Sequence, residues 1–220
     1  MGEIMNVLVL KLIALTSMII DHYGAIFQSG VDIYRIIGRL AFPIYAFLLV
    51  EGYTHTKNVK KYANRLLLFA IVSELPFDLA FYGKLGFTHQ NIFFTLFIGL
   101  VLMYLLDNKE GKYNFNNNVL IIGAAFIALL TSVDYSFVGI IYILTFYYTK
   151  NHPKPKRIYN QVLIIFLTNL FLLGFRQQFA LLALPLIYFY NGNLGPKNKY
   201  LQVFFYAAYP LHLIIFYIMK

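Results

Sequence analysis

Three residues able to bind an anion or move a proton, Lys11, Asp21 and His22, stand inside the first apolar stretch of the chain, VLVLKLIALTSMIIDHYGAIF. An ionisable group costs at least ~2.5 kcal/mol to bury at the centre of a bilayer, so such groups usually mark a functional site. Lys11 and His22 are eleven positions apart. On an α-helix this is within about 20° of three full turns, with ~16 Å of rise. We therefore expect them on one face, near opposite ends of one helix.

His22 is the candidate general base, because an imidazole exchanges protons near neutral pH. Asp21 is its neighbour in sequence, about 100° away around a helix, and is poorly placed to orient the same ring. A carboxylate from another helix, Glu74 or Asp134, is the better candidate for that task. The alternative is that His22 is a hydrogen-bonded packing residue. His212, near the end of the chain, is interpreted as structural.

Two further pairs of charged residues have helical i,i+4 spacing. Arg35 and Arg39 form one pair, and Glu74 and Asp78 form the other. Pro76 lies between the two acids and predicts a kink beside them. Ion pairing of Arg39 with a carboxylate is the simplest structural interpretation. A functional pocket is the competing interpretation, and the two are compatible.

The composition is that of a membrane protein. Hydrophobic residues make up 60% of the 220 residues and charged residues 12%, against ~25% charged in soluble domains, and the mean hydropathy is +0.66. We expect one membrane domain over residues 1–220. The absence of cysteine excludes disulfides, thiolate nucleophiles and cysteine-ligated metals. The N-terminal stretch has neither a basic leader nor a small-x-small cleavage site, so it is interpreted as the first span.

Hydropathy and helix-breaking residues predict an all-α, polytopic helical bundle of about nine transmembrane segments, within a range of about eight to ten. A spanning helix needs about 20 residues, and segments five to eight are shorter. The pairs 118–149 and 159–190 are therefore each two short helices or partly re-entrant structure. The segments run approximately over 5–27, 35–53, 61–83, 90–107, 118–132, 135–149, 159–174, 176–190 and 200–219.

The positive-inside rule gives an independent test of this count. The connections between the nine predicted segments are numbered here from the N-terminus and called gaps. Twelve Lys and Arg residues lie in or beside the even-numbered gaps, against five in the odd-numbered gaps and at the C-terminus. The pattern predicts a cytoplasmic N-terminus, and the net charge of +9 is attributed to topology rather than to nucleic-acid binding. The twelve are Lys57, Lys60, Lys61, Arg65, Lys109, Lys112, Lys150, Lys154, Lys156, Arg157, Lys197 and Lys199.

This orientation sorts the other polar residues by depth. The outer half is unusually rich in polar groups for membrane-spanning helices. The cytoplasmic set is Lys11, Glu51, His55, Lys61 and Arg65. The outer set is Asp21, His22, Arg35, Arg39, Glu74, Asp78, Asn91, Asp134, Tyr135, Arg176 and His212.

Metal and nucleotide motifs are missing from the sequence. No two histidines have ligand spacing, and there is no H-E-x-x-H, so no metal site is expected. There is also no G-x-S-x-G elbow, Walker loop or Rossmann glycine pattern.

Seven segments together resemble the TraX family, which is named for a conjugative pilus protein linked to N-terminal acetylation of pilin. They are KLIALTSMIIDHYG, GRLAFPIYAFLLVEGYTHT, YANRLLLFAIVSELPFD, QNIFFTLFIGL, DYSFVGIIYIL, YNGNLG and FFYAAYPLHL. The family is also similar to the wider membrane acyltransferase-3 group, whose first helix carries a basic residue, ten residues and a histidine. Lys11 and His22 match that spacing.

The resemblance implies an acetyltransferase with acetyl-CoA as acyl donor, no metal, and a multi-pass location in the cytoplasmic membrane. The implied partners are acetyl-CoA, the lipid bilayer and an acceptor that is a peptide, glycan or other cell-surface molecule, with no nucleic acid. The catalytic candidates are His22, Asp21, Arg39 and Glu74. The candidates for binding the donor are Lys11, Lys61, Arg65, Glu51 and His55. Those for binding the acceptor are Asp78, Asn91, Asp134 and Tyr135.

Two other function classes use the same residues. A small proton-coupled or lipid-linked transporter would use His22 and the acids as a proton relay, because intramembrane ionisable groups also mark transport paths. Hydropathy shows no inverted repeat of the kind common in transporters. A non-enzymatic membrane assembly protein would have its outer polar cluster fully ion-paired, with no cavity.

Overall fold

The computed structural model describes residues 5–108, 115–196 and 198–220, so the predicted cytoplasmic residues Lys109, Lys112 and Lys197 lie outside the described ranges. Within these ranges the chain is helical, as predicted, with one isolated β-bridge between Gln90 and Val133. The helices are α1 Val7–Phe27, α2 Asp32–Gly38, α3 Ala41–His55, α4 Val59–Tyr82, α5 Ile92–Asp107, α6 Asn117–Leu130, α7 Ser136–Thr149, α8 Lys154–Thr168, α9 Ala183–Tyr188 and α10 Lys199–Met219.

Asparagine marks the start of five of these helices. In each, the asparagine side chain accepts a hydrogen bond from the backbone N–H of the second or third helical residue, which satisfies a donor that the helix itself leaves free. The caps of α1, α4, α5, α6 and α10 are Asn6, Asn58, Asn91, Asn116 and Asn198. The chain therefore encodes these helix starts locally.

Two of the predicted segments are interrupted. The segment predicted over 35–53 is broken at Arg39 and Leu40, between α2 and α3. The region predicted as 159–190 holds α8, a π-helical turn over Asn169–Leu173, a 3₁₀ segment over Phe175–Leu182 and the short α9. The π turn ends at Gly174, whose φ of 86° is in the left-handed region that glycine tolerates.

Three of the described helical stretches are long and apolar enough to cross a membrane: Val7–Phe27, Asp32–His55 and Lys199–Met219. The apolar helices α5, α6 and α7 have 16, 14 and 14 residues, fewer than the ~20 that a perpendicular span requires. The structure therefore supports membrane association and an all-helical fold.

The exposed surface is unusually apolar for a water-soluble protein, and several polar side chains are buried in the otherwise apolar core. Asn91 and Asn169 are 0% exposed, whereas Ile122 is 68% and Ile71 61% exposed. Exposed apolar side chains over so many helices indicate a lipid-facing surface, because soluble monomers rarely expose large apolar patches. The polar groups are inside the bundle, where they can hydrogen-bond to one another.

Helix α7 lies at the centre of the bundle, packed against α3, α5, α6 and α8. Tyr142 and Phe146 of α7 are fully buried. Two glycines permit close approach between α5 and α7. A Cβ at Gly99 would lie 2.4 Å from Ile143, and one at Gly139 would lie 2.5 Å from Thr95. On the other side, α1 packs against α2, α3 and α10, which brings the first and last helices together.

Candidate functional site

His22 of α1 and His212 of α10 form a directly hydrogen-bonded pair. The distance from His22 Nδ1 to His212 Nε2 is 2.7 Å, and the two rings are stacked with centroids 5.0 Å apart. The residues are 190 positions apart in sequence, so their proximity comes entirely from the packing of α1 against α10. No carboxylate of the described residues hydrogen-bonds to either ring. The partner of His22 is therefore His212, and the expectation that Glu74 or Asp134 would orient it is wrong.

A backbone carbonyl fixes the direction of this hydrogen bond. His212 Nδ1 lies 2.8 Å from the Ala208 carbonyl oxygen, which can only accept, so Nδ1 of His212 carries a proton. In the neutral ring Nε2 of His212 is then an acceptor, and Nδ1 of His22 must donate to it. In neutral His22 the other nitrogen, Nε2, is left with its lone pair free. The basic nitrogen of the pair is therefore Nε2 of His22.

Aromatic rings enclose the histidine pair. His22 makes edge contacts with Phe81 and Tyr209, at centroid distances of 5.2 and 5.8 Å. Tyr209 also contacts His212 at 5.6 Å and is only 3% exposed. These rings hold both imidazoles in place.

Asp21 lies one position before His22 and binds two guanidinium groups. Arg35 Nη1 donates to Asp21 Oδ2, and Arg39 Nη2 donates to Asp21 Oδ1, both at 2.7 Å. Arg39 therefore forms the predicted ion pair, but with Asp21 and not with Glu74 or Asp78. With both of its oxygens in ion pairs, the Asp21 carboxylate ties α1 to the α2–α3 break.

Gly38 makes this arrangement possible. A Cβ at position 38 would lie 2.0 Å from Asp21 Oδ1 and 2.2 Å from Asp21 Cβ. Gly24 permits a similar close approach further along α1, where a Cβ would lie 2.2 Å from Tyr34 Cβ. The two glycines let α2 lie directly on α1 beside His22.

A buried network continues from Arg39 into the region between α8 and α9. Arg39 Nη1 donates to Gln177 Oε1 at 3.0 Å, and Asn169 Nδ2 donates to the Gln177 carbonyl at 2.9 Å. The Tyr142 hydroxyl donates to Asn169 Oδ1 at 2.6 Å. Gln177 and Asn169 were not predicted as site residues, because their place in the network depends on the π turn and the 3₁₀ segment.

The acids of α4 serve the start of α5. Glu74 Oε2 accepts from the backbone and side-chain nitrogens of Asn91, and Asn91 Nδ2 also donates to the Ala70 carbonyl. Asp78 Oδ2 accepts from the Gly86 backbone N–H at 2.8 Å. The structure thus brings together Glu74 and Asn91, both predicted site residues, as a helix-capping unit.

Asp134 and Tyr135 lie on the loop between α6 and α7. Asp134 Oδ1 is 3.7 Å from His89 Nε2 in the α4–α5 loop, and the Asp134 carbonyl accepts a hydrogen bond from Thr95. The close contact with Asp134 and its negative charge raise the pKa of His89 above its ordinary value. Tyr135 stacks on Phe42 with centroids 4.0 Å apart. This loop pair closes the same end of the bundle as the Glu74–Asn91 unit.

A cavity of about 340 Å³ lies between α1, α3, α4, α5 and α10. Its walls are mainly apolar and aromatic, and Tyr209, which contacts both histidines, forms part of them. Its polar side chains include four of the five residues predicted to bind the donor: Lys11, Glu51, His55 and Arg65. The fifth, Lys61, is exposed and is not part of its wall.

Two parallel stripes of side chains border this cavity. On α1 the stripe runs from Lys11 to Met18, one turn before His22. On α10 it runs from Gln202 to Tyr209, one turn before His212. The sequence already contains the helical spacing of these α10 residues. Without the position of α1, however, a stripe that lines a cavity cannot be distinguished from one that packs in the core.

At the end of the cavity where Lys11 lies, Glu51 is held by two partners. The Tyr190 hydroxyl donates to Glu51 Oε1 at 2.9 Å, and His55 Nδ1 lies 3.5 Å from the same oxygen. Lys11 and Arg65 supply positive charge nearby. Over the described ranges no group of three or more His, Cys, Asp or Glu residues is arranged to hold a metal ion.

Sequence comparisons found a matching family model and two relatives. A family model described as TraX protein matches residues 7–220. A probable fimbrial assembly protein, FimC of serogroup H1 from Dichelobacter nodosus, is 28% identical over 239 aligned positions, covering 94% of this chain and 92% of that protein. An uncharacterized protein of Rickettsia prowazekii (strain Madrid E) is 27% identical over 107 positions, covering 49% of this chain and 40% of that protein. No solved structure matches significantly.

Proposed function

The chain belongs to the TraX family, and from that premise we propose that it is a membrane-embedded acetyltransferase. Its donor is acetyl-CoA, and its acceptor is an amine or hydroxyl presented at the outer side of the membrane. One observation supports this most strongly: His22 has a basic nitrogen, Nε2, whose lone pair is left free by the hydrogen bond to His212, and its ring contacts Tyr209, a wall residue of a cavity that has cations at its other end.

The family name is linked to pilin acetylation, and the D. nodosus relative is named for fimbrial assembly. A surface protein of this kind is therefore the acceptor class that we favour. The proposed membrane arrangement has about nine spans and a cytoplasmic N-terminus, in a multi-pass protein of the cytoplasmic membrane. The excess of Lys and Arg in the even-numbered gaps supports this orientation.

The cavity suits the thioester end of the donor. Its volume, about 340 Å³, is at the lower end of the ~300–1,000 Å³ range of small-molecule sites. It therefore suits the narrow pantetheine arm with its acyl group, and not the adenine nucleotide in addition. Aromatic walls favour the apolar part of the arm. Lys11, at the inner end of the cavity, favours the anionic part of the donor.

In the proposed reaction, His22 acts as general base through Nε2. As the acceptor nitrogen or oxygen attacks the thioester carbonyl, His22 Nε2 removes its proton, and a new C–N or C–O bond forms. The C–S bond then breaks, and His22 returns the proton to the leaving thiolate of CoA. Two bound substrates make this transfer effectively unimolecular. No acyl-enzyme is needed.

His212 is a positioning residue in this scheme. Its Nε2 accepts from His22 Nδ1, which keeps the proton of neutral His22 on the nitrogen away from the acceptor. Arg39 and Asn91 have N–H groups that could stabilise the developing oxyanion, but these groups already donate to protein acceptors. We therefore assign Asp21, Arg39, Glu74 and Asn91 to fixing the helices around His22.

The direct test uses purified protein in nanodiscs with radiolabelled acetyl-CoA and a peptide that has a free N-terminal amine. We expect label in the peptide, and a loss of about 10²–10⁴-fold in the His22→Ala variant, as for the removal of a general base. His152→Ala is the matched control. His152 contacts Asn160 of α8, does not line the cavity and is not part of the histidine pair.

Two outcomes would overturn the proposal. Wild-type turnover in the His22→Ala variant would eliminate His22 as the base. Saturable flux of acetyl-CoA into sealed vesicles, with no acyl transfer or thioester hydrolysis by the wild-type protein, would instead identify a transporter.

A further inference from the structure

A second cavity of about 340 Å³ adjoins the first at the inner end of α1 and α10. The two cavities share five wall residues: Val7, Lys11, Leu194, Gln202 and Phe205. They therefore form adjoining chambers, with Lys11 at the junction. A ligand that filled both would extend from the start of α10 to the aromatic wall beside His22.

The second chamber has a firmly held wall. The loop before α10, which contains the YNGNLG segment, is hydrogen-bonded to the start of α1. Val7 N–H donates to the Asn193 carbonyl, and Asn191 N–H donates to the Met5 carbonyl, both at 3.0 Å. Gly195, with φ at 71°, lets the loop lie against Leu8, to which a Cβ would come within 3.5 Å. The YNGNLG segment thus has a structural function: it builds this chamber.

The charged side chains of the second chamber are both cations. They are Lys11 and Lys199, accompanied by the amides of Asn198 and Gln202. No acidic residue of the described chain lines this chamber. Among the described residues, no carboxylate lies within 4.0 Å of Lys11 Nζ, which instead lies 5.4 Å from the centroid of the Phe205 ring. A cation in an apolar helix without a neutralising partner favours the binding of an anion from elsewhere.

The inner end of the first cavity is a less favourable place for a polyanion. Glu51 is fixed there by Tyr190 and His55, and its negative charge would repel phosphate. Lys61, predicted to bind the donor, lines neither chamber. The charge distribution therefore favours the second chamber, where Lys199 takes the role predicted for Lys61.

We propose that the second chamber binds the phosphate-bearing nucleotide half of the acyl donor, while the first cavity holds its pantetheine arm. This inference rests on the proposed function. Lys199 and Lys11 neutralise the phosphates, and the amides of Asn198 and Gln202 donate hydrogen bonds to their oxygens. The donor then lies along α10, with phosphates at Lys199 and the thioester toward Tyr209 and His22.

The test compares acetyl-CoA with S-acetylpantetheine, which has the thioester and the arm but no phosphates. For Lys199→Ala we expect KM for acetyl-CoA to rise about 10-fold, as for the loss of one charge-assisted hydrogen bond. KM for S-acetylpantetheine and kcat with either donor stay at the wild-type value. Lys199→Arg retains most of the preference for acetyl-CoA. Lys156→Ala, an exposed lysine of α8, is the matched control and changes neither KM.

Three results separate this inference from its alternatives. An unchanged ratio of the two KM values in Lys199→Ala, with an active wild-type enzyme, overturns the second chamber as the phosphate site and leaves the proposed function standing. If the Lys199→Ala effect appears only in nanodiscs that contain phosphatidylglycerol, and is absent in pure phosphatidylcholine, the chamber binds a lipid headgroup and the inference fails. A wild-type protein that uses neither donor refutes the proposed function itself.

Discussion

Replacing His212 tests whether the histidine pair acts as described. In His212→Ala the His22 Nδ1–H loses the acceptor that lies 2.7 Å away, and the proton of neutral His22 is free to move to Nε2. In that tautomer Nε2 already carries a proton, so it cannot remove one from the substrate that receives the acetyl group. His212→Phe keeps an aromatic ring between Tyr209 and Phe216 but removes the acceptor nitrogen, which separates loss of the hydrogen bond from loss of packing.

The size of the effect follows from the geometry. A buried donor left without a partner costs about 1–3 kcal/mol, which corresponds to roughly 5–150-fold in an equilibrium or a rate. We therefore expect kcat for acetyl transfer to fall about 10–100-fold in His212→Ala and in His212→Phe, with KM for acetyl-CoA unchanged. His212→Gln should recover part of the loss, because its Oε1 can accept from His22 Nδ1.

The assay is the rate of transfer from labelled acetyl-CoA, measured across pH, combined with ¹⁵N NMR of protein labelled at histidine. In the wild-type protein the spectrum should show His22 protonated at Nδ1, and in His212→Phe a mixture of tautomers. In a His22→Ala background the further change of His212 should have little effect, since the two residues act as one unit. A His212→Phe variant with the wild-type kcat, pH profile and tautomer would refute the reasoning.

Two further predictions concern the membrane arrangement and the loops that hold His89 and Asp134. Because the chain has no cysteine, Asn193→Cys should resist impermeant thiol reagents in intact cells, whereas Thr131→Cys should react; a labelled position 193 would require a different number of spans. Asp134 raises the pKa of His89. The ion pair between them therefore stabilises the fold at low pH, and this stabilisation is lost as pH rises through the folded-state pKa of His89. For such an exposed pair the contribution is about 0.2–1 kcal/mol. The melting temperature of His89→Gln should therefore lie furthest below that of the wild type under about pH 6.5 and approach it at higher pH, and a gap independent of pH would contradict the assignment.

Much of the site was accessible from the sequence because helical geometry is local. The spacing of Lys11 and His22 fixes their relation on α1, and the i,i+4 spacing of Arg35 and Arg39 predicts that both can reach one partner. In the structure both bind Asp21, even though the helix breaks at Arg39. The identity of that partner was not predictable, because it depends on how closely Gly38 lets α2 approach α1.

The long-range pairings were decided by the tertiary structure alone. Glu74 was expected to serve His22 but caps α5 through Asn91, because the α4–α5 turn places the two side by side. His212 was interpreted as structural and is the partner of His22. Lys61 and Arg65 look equivalent in sequence, but only Arg65 faces the cavity. Each difference arises from which side of a helix faces a distant neighbour, and no local pattern encodes that.

The sequence by itself determined the helical class, the apolar exterior, the asparagine caps and the positions of ionisable groups along α1. These properties depend on composition and on interactions within a few residues. Only the tertiary structure determined that α10 lies against α1. That contact, between residues 190 positions apart in the chain, defines both chambers and fixes the proton on His22. It is set by close packing of complementary helix surfaces, whose free energy depends on all partners at once.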